Sequence, residues 1–355
     1  MLKRLTSLAA RSAGFSSFVR LLERADRNSP PGLLRVLTYH RVDRPDSRPD
    51  LYPGLISAAP EAFDQQMAYL AANYHLLSMG ALLNAIQTGA ALPPRATLVT
   101  FDDAYLDFAE HAWPILKRHR LPAALFVPTG FPDQPGRAFW WDRLHQSLRS
   151  TARRDALATP LGRLPLATEA QRKRAFSRLR TLVKSLPHDQ AMTMVDHLCG
   201  QLSDSSPQPA VLGWEALRQL AGEGVTLGAH TRTHPLLNRV PLAEARAEAA
   251  GSLRDLERET GPALPVFAYP GGQSSDEVVR VLDRDGFALA FKTGWGINDL
   301  RRDDLLRLRR INVGGRTTLP VLRARLLSYW VYAGGSRPLP RPANTNLHVL
   351  HGETI

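Results

Sequence analysis

Short apolar runs alternate with amphipathic segments along most of the chain, and this alternation predicts its secondary structure. In residues 60–74, for example, Phe63, Met67 and Leu70 recur at helical spacing. Short β-rich apolar runs predict strands at residues 33–42, 96–101, 123–127, 225–229, 266–269, 289–292 and 308–313. Further helices are predicted at residues 104–118, 214–221, 242–260 and 275–285. Buried strands that alternate with helices are typical of an α/β fold with a parallel sheet, either open or closed into a barrel.

Three segments depart from this alternation. Residues 131–206 are rich in Arg, Leu and Ala and predict a helical insertion within a domain that spans residues 32–333. Residues 1–31 predict an amphipathic helix and a linker; the helix could cover the domain core or lie on a membrane surface through residues 1–25. Residues 334–355 are rich in Pro and have no apolar period, so we expect an extended or disordered tail.

Composition and charge narrow the class of protein. The 355-residue chain has 44% apolar and 22% charged residues, which is typical of a soluble globular protein, and its single cysteine excludes an internal disulfide. No apolar run reaches the ~18 residues of a transmembrane helix, and the N-terminus lacks the apolar region of a signal peptide. The net charge of +12 allows an acidic glycan, an anionic membrane or a nucleic acid as partner. Because arginine and aromatic residues do not alternate, we expect no nucleic-acid partner.

Two clusters of candidate catalytic residues follow predicted strands at their carboxyl ends, where parallel α/β folds place active sites. The first is Asp102 and Asp103; adjacent carboxylates repel, so a cation bound by one would leave the other free as a base. These aspartates could instead cap the helix that is predicted to begin at Ala104. The second cluster is His230 and His234, and two imidazoles at this spacing can bind one metal ion from a single turn.

Residues 267–272 form a third cluster, in which a strand ends in a Pro-Gly-Gly turn whose backbone N–H groups could approach a substrate closely. Alone this turn is a weak signal, since many β–α connections look similar. Together with the other clusters it is stronger, because two histidines and one carboxylate leave open metal positions for water and substrate, as in catalytic zinc sites. Iron oxygenases use the same ligand types, but the order of the ligands in this α/β chain disfavours that class.

The motifs Thr-Phe-Asp-Asp, His-Thr-x-x-His and Phe-Ala-Tyr-Pro-x-Gly, in this order, closely resemble those of the NodB-type polysaccharide deacetylases. The likeness spans residues 37–313. It implies an α/β fold, a distorted (β/α) barrel with a helical insertion, and hydrolysis of N-acetyl, less often O-acetyl, groups on glycans. It also implies one divalent metal ion, zinc in the first place with cobalt, nickel or iron as alternatives. The family acts mostly on glycans of the cell envelope or outside the cytoplasm.

The resemblance also assigns roles to the motif residues. Asp102 takes the place of the catalytic base. The metal ligands would be Asp103, His230 and His234. Gly271 would offer its backbone N–H to the oxyanion that forms from the acetyl carbonyl, within a substrate-binding turn that includes Tyr269 and Pro270.

Two departures from the family concern the base and the acid. Ala268 stands where many members carry an arginine that orients the base, and Arg41 could replace that arginine. Many members also carry a late histidine as general acid, whereas this chain has no histidine between His234 and His348. We predict that His40 is the acid, because a similar Tyr-His-Arg-Val element opens the branch that resembles poly-N-acetylglucosamine deacetylases. The alternative is that His40 only packs at the end of its strand.

Trp140 and Trp141 begin the predicted insertion, and they too resemble this branch. They could stack on sugar faces or pack in the core. The departures leave open a non-catalytic glycan-binding protein of the same fold, and an O-acetyl glycan esterase is a further alternative. The sequence as a whole predicts a polysaccharide N-deacetylase that acts on an exopolysaccharide or an envelope glycan.

Overall fold

The computed structural model describes residues 19, 21–24, 26, 32–134, 137–203, 207–208 and 210–327. The strands are β1 Leu33–Tyr39, β2 Arg41–Val42, β3 Ile56–Ala58, β4 His75–Leu76, β5 Ala96–Asp102, β6 Ala124–Val127, β7 Ala156–Thr159, β8 Gly162–Pro165, β9 Thr226–Ala229, β10 Val266–Ala268, β11 Leu289–Thr293, β12 Asn298–Asp299 and β13 Leu308–Asn312. The helices are α1 Pro60–Asn73, α2 Met79–Thr88, α3 Trp113–His119, α4 Trp140–Ser150, α5 Glu169–Ser185, α6 His188–Leu202, α7 Trp214–Gly222, α8 Leu242–Thr260, α9 Asp276–Arg284 and α10 Leu319–Leu326.

Seven parallel strands close into a barrel in the order β1-β13-β11-β10-β9-β6-β5. The ring closes because β5 pairs with β1, with Leu37 opposite Val99. This closure confirms the predicted (β/α) barrel. Because the strands are parallel, their carboxyl ends lie at one rim, where such barrels carry their active sites.

Apolar residues of the strands divide between two cores. Val36, Leu98 and Phe126 belong to a buried cluster of alternating side chains that fills the barrel. The other face of each strand packs against the surrounding helices, and Phe63 and Met67 of α1 are fully buried there, as their helical spacing predicts.

The insertion has an apolar core of its own. Residues 140–202 contain α4, α5 and α6, as a helical insertion predicts. They also contain the β7–β8 hairpin, and this hairpin was not predicted from the sequence. Leu144, Leu179 and Val195, one from each helix, are fully buried in this core. Tyr105 of the barrel belongs to the same cluster, so the insertion is packed directly onto the segment that follows β5.

The segment after β5 differs from the sequence prediction of a helix at residues 104–118. Asp103 and Ala104 have φ values of 74° and 50°, which are incompatible with a right-handed helix. A π-helical turn, Phe108–Ala112, leads instead into α3. The predicted alternative, that the two aspartates are helix caps, is therefore wrong, since the helix begins several residues later.

The described residues near the N-terminus are helical and contact the barrel. Asp26 is fully buried and accepts hydrogen bonds from Arg35 and Arg95, while Glu23 pairs with Arg323. These contacts correspond to the interpretation in which the helix covers the core. Residues 1–18, on which most of the predicted membrane contact falls, and the predicted tail at 334–355 lie outside the described residues. No helix in the described part is long and apolar enough to cross a membrane.

Candidate active site

Asp103, His230 and His234 meet at the carboxyl rim of the barrel. Asp103 directly follows β5, and both histidines follow β9. The Nε2 atoms of His230 and His234 lie 3.5 Å and 3.2 Å from Asp103 Oδ1. One ligand atom from each residue lies within 4.8 Å of the others. Ligands of one tetrahedral zinc ion, bound at about 2.0–2.1 Å, would be separated by roughly 3.3 Å, so the three side chains fit a single cation.

The hydrogen bonds around this cluster also fit a cation. Asp103 Oδ1 is buried and has no hydrogen-bond partner among the described residues, although its neighbours are two imidazoles. His230 Nδ1 lies 2.7 Å from the Ala268 carbonyl oxygen, which can only accept. Nδ1 therefore carries a proton, and Nε2, which faces Asp103, is the nitrogen that would bind a cation. Two nitrogens and one carboxylate are a donor set that suits zinc and related divalent metals.

The backbone of this cluster is strained. Asp103, Thr231 and His234 all have positive φ values, 74°, 65° and 63°. Such conformations cost about 1–3 kcal/mol each in residues other than glycine and persist only where neighbours enforce them. Glu248 of α8 is one such neighbour, because its carboxylate accepts hydrogen bonds from the backbone N–H groups of residues 232 and 233. Sequence reasoning missed Glu248, which no motif marks.

Asp102 is held by an arginine that sequence reasoning also missed. The guanidinium of Arg310, on β13, donates from both terminal nitrogens to the two carboxylate oxygens of Asp102, each at 2.7 Å. Both side chains are buried. Burial raises the pKa of Asp102, but the charge and hydrogen bonds of Arg310, together with the charge of His230, outweigh burial and hold that pKa below its ordinary value. Asp102 is therefore an ionised acceptor in a fixed orientation.

The suggestion that Arg41 partners Asp102 is wrong. Arg41 donates instead to Asp107 and Asp43, at 2.7 Å and 2.5 Å. Arg41 is the first residue of β2, so its side chain ties β2 to the segment after β5. Ala268, where many family members carry arginine, belongs to the cluster that fills the barrel, and Arg310 enters that interior from β13.

His40 lies at the same rim, one residue after β1. Its backbone N–H donates to Ser57 Oγ at 2.9 Å, which fixes the chain where β1 ends. The imidazole is partly buried, and no hydrogen bond or ion pair of it with a described residue is present. A charge on His40 would lower the pKa of both Asp102 and Asp103, so the ring is near both carboxylates.

The Pro-Gly-Gly turn faces the cluster from β10. Gly271 has a φ of 60°, which favours glycine, and a Cβ there would lie 2.7 Å from Leu236 Cδ2. Gly271 lines the cleft beside His234. Tyr269 and Pro270 are buried, and the Tyr269 hydroxyl donates to the Leu306 carbonyl at 2.8 Å. The Tyr269 side chain therefore supports the turn from the core and does not face the cleft.

Comparisons with known proteins identify the family. The family model described as polysaccharide deacetylase matches residues 89–290, more than half of the chain. The chain belongs to the polysaccharide deacetylase family. It is also similar to the putative polysaccharide deacetylase YxkH of Bacillus subtilis (strain 168), with 18% identity over 81% of this chain and 74% of that protein.

Solved structures share the fold of this deacetylase. Streptococcus pyogenes deacetylase PplD, in complex with acetate, matches with a TM-score of 0.57 and 19% identity over 84% of this chain and 99% of that chain. IcaB from Ammonifex degensii matches with a TM-score of 0.54 and 20% identity over 84% of this chain and 98% of that chain. Membership of the family makes the chain a hydrolase that acts on acetylated glycans.

The insertion supplies the aromatic wall of the deacetylase cleft. Trp141 is buried and its ring meets the His234 ring edge-on, with centroids 5.1 Å apart. Trp141 Nε1 donates to the Tyr105 hydroxyl at 2.9 Å, and that hydroxyl donates to Asp142 at 2.7 Å. Trp140 is more exposed and lines the cleft. Trp141 thus packs against a candidate ligand, whereas Trp140 is the ring accessible to a sugar.

Proposed function

We propose that this deacetylase removes acetyl groups from N-acetylated sugars of a polysaccharide, an exopolysaccharide or an envelope glycan, with one divalent metal ion. The observation that carries the proposal is the cluster of Asp103, His230 and His234 around a buried carboxylate oxygen that has no hydrogen-bond partner among the described residues. Zinc is the first choice of metal, because two imidazoles and one carboxylate leave a tetrahedral site open at one position.

The side chains at the rim divide the reaction among them. A divalent cation held by the three ligands would supply Lewis acidity to the acetyl carbonyl and to the attacking water. Asp102, kept ionised by Arg310, takes a proton from that water. The Gly271 N–H donates a hydrogen bond to the oxygen of the tetrahedral intermediate. His40 then protonates the leaving amine, since an amine is expelled only as a neutral molecule.

N-deacetylation is favoured over O-deacetylation by the presence of a candidate acid. An amide needs a protonated leaving group far more than an ester does, and His40 has a ring near both carboxylates with no competing hydrogen bond to a described residue. The likeness to the branch of poly-N-acetylglucosamine deacetylases supports the same choice. By likeness to the family we also propose a location in the cell envelope or outside the cytoplasm.

Acetate release tests this function. The full chain would be incubated with N-acetylated and O-acetylated oligosaccharides before and after a chelator, and again after zinc or cobalt is restored. We expect acetate from the N-acetylated sugars, loss of at least about 100-fold after chelation, and recovery with metal, since the Lewis acid contributes several kcal/mol. His234→Gln is the matched variant, and it should bind less metal. A chain that binds oligosaccharides, holds no metal and releases no acetate would be a glycan-binding protein instead.

A further inference from the structure

A cleft opens beside the candidate site, between the insertion and the barrel rim. Its lining includes Trp140, Lys184 and His188 of the insertion and His234, Arg239 and Gly271 of the rim. Because His234 and Gly271 belong to the candidate site, a glycan whose acetyl group is at the site would extend into this cleft.

The cleft has positive charge and no negative charge. Lys184 and Arg239 line it, together with His188, which can become cationic, and none of the residues that line it is acidic. The three come from separate places: the last turn of α5, the first residue of α6 and the turn Leu237–Arg239. Their meeting at one cleft is therefore a product of the fold and not of one basic run in the sequence.

The side chains of these three cations have no partner among the described residues. Within the described part of the chain, the side chains of Lys184, His188 and Arg239 make no hydrogen bond or ion pair. On the same helix, by contrast, Lys173 pairs with Glu169, and Arg180 donates to the Tyr52 hydroxyl. Unpaired cations that converge on one cleft are suited to an anionic group of a ligand.

We infer that the natural substrate carries an anionic group, a carboxylate or a phosphate, on the sugar next to the one that is deacetylated, and that Lys184 and Arg239 bind it. This inference rests on the proposed function, since the cleft is defined by the candidate site. The exposed ring of Trp140 would lie along the same sugar.

Charge repulsion argues against a polymer made only of N-acetylhexosamine. Each deacetylation of such a polymer leaves an ammonium group. A sugar that has already been deacetylated would then meet Lys184 and Arg239 in the cleft, and like charges repel. An anionic neighbour remains attractive after every turnover. The cleft therefore fits a glycan in which acetylated sugars lie next to acidic ones.

The test compares three probes of equal length with the metal-loaded full chain. One is a neutral chito-oligosaccharide, one alternates N-acetylglucosamine with glucuronic acid, and one is a chito-oligosaccharide that ends in phosphate. The variant is the double substitution Lys184→Gln and Arg239→Gln. Its control is Arg174→Gln, which removes one positive charge from the exposed face of α5 at a residue that does not line the cleft.

We expect the wild type to prefer at least one anionic probe over the neutral probe by about tenfold in kcat/KM. The double variant should bring that ratio close to one, and the control should leave it unchanged. Because exposed charges are screened, the preference should also fall between about 0.05 and 0.5 M salt. Preference for the glucuronic acid probe identifies a carboxylate, and preference for the other identifies a phosphate.

Two outcomes overturn the inference: a wild type that does not prefer either anionic probe, or a double variant that loses the same factor on all three. If the wild type releases no acetate from any probe, the proposed function fails instead. Equilibrium binding of the same probes then shows whether the cleft prefers anionic glycans. An anionic preference that the double variant loses would still support the inference, and equal binding of all probes would contradict it.

Discussion

The floor and the mouth of the cleft hold their charges in opposite ways. On the floor, which comprises Asp102, Asp103, His230 and Arg310, the Asp102–Arg310 pair is buried and bidentate. At the mouth, which comprises Lys184, His188 and Arg239, no side-chain ion pair with a described residue is present. Burying a charge costs several kcal/mol unless a partner compensates it, whereas an exposed charge can remain available. The buried pair therefore fixes the floor before a substrate binds, whereas the unpaired charges at the mouth remain available to a ligand.

Among substitutions on the floor, removal of the base should lower acetate release the most. Asp102→Asn cannot take a proton, so we expect acetate release to fall by about 10³-fold, within the range typical of general bases. Steady-state acetate release measures this loss. Because Asp103, His230 and His234 are unchanged, metal content should equal that of the wild type. A variant that retains activity with bound metal would contradict the role of Asp102.

The fall in rate that follows removal of the general acid should depend on the leaving group. In His40→Gln, we expect deacetylation of an N-acetylated oligosaccharide to fall by about 10²-fold, because the amine can no longer be protonated. Release of nitrophenol from p-nitrophenyl acetate should fall by less than about fivefold, since that leaving group needs no proton. Asp102→Asn is the control, because it should slow both substrates. Equal losses on both substrates in His40→Gln would show that His40 is not the acid.

The floor was largely predictable from the sequence, because its parts are local. Asp102 and Asp103 directly follow one apolar run, and His230 directly follows another. Parallel strands bring such ends to one rim, so short motifs locate the site without any knowledge of register. The barrel was predictable for the same reason, since strands and helices alternate along the chain.

The partner of Asp102 and the mouth were not predictable in this way. Arg310 is 208 residues from Asp102 in sequence, and only the closure of the barrel brings β13 near enough. Arg41 was the candidate to replace the missing arginine, but its side chain reaches Asp107. Lys184 and Arg239 meet only because the insertion packs on the rim, and no spacing in the sequence encodes that packing.

Removal of the partner of the base should have an intermediate effect. In Arg310→Met, Asp102 loses both of its charge-assisted hydrogen bonds, and we expect kcat to fall by about 30-fold with metal content retained. Arg310→Lys should recover part of the activity, since it restores the charge without the bidentate geometry. The control is Arg309→Gln on the same strand, because Arg309 pairs with Asp303. If kcat of Arg310→Lys is no higher than kcat of Arg310→Met, the positive charge next to Asp102 is not what Arg310 contributes to the reaction.

The smallest effect should come from the network that joins the insertion to the floor. Burial raises the pKa of Asp142 to about 7, from an ordinary value of 3.8. The carboxyl of Asp142 therefore keeps a proton in the folded chain that it releases in the unfolded chain. This protonation contributes its full stability below the ordinary pKa of the group. The contribution is lost as the pH rises through about 7. From pH 6 to pH 8, the wild type should lose about 1.4 kcal/mol of unfolding free energy relative to Asp142→Asn. Urea unfolding at both pH values measures this difference, with exposed Asp189→Asn as control. Parallel pH dependence of wild type and Asp142→Asn would mean that the link between insertion and barrel does not depend on this proton.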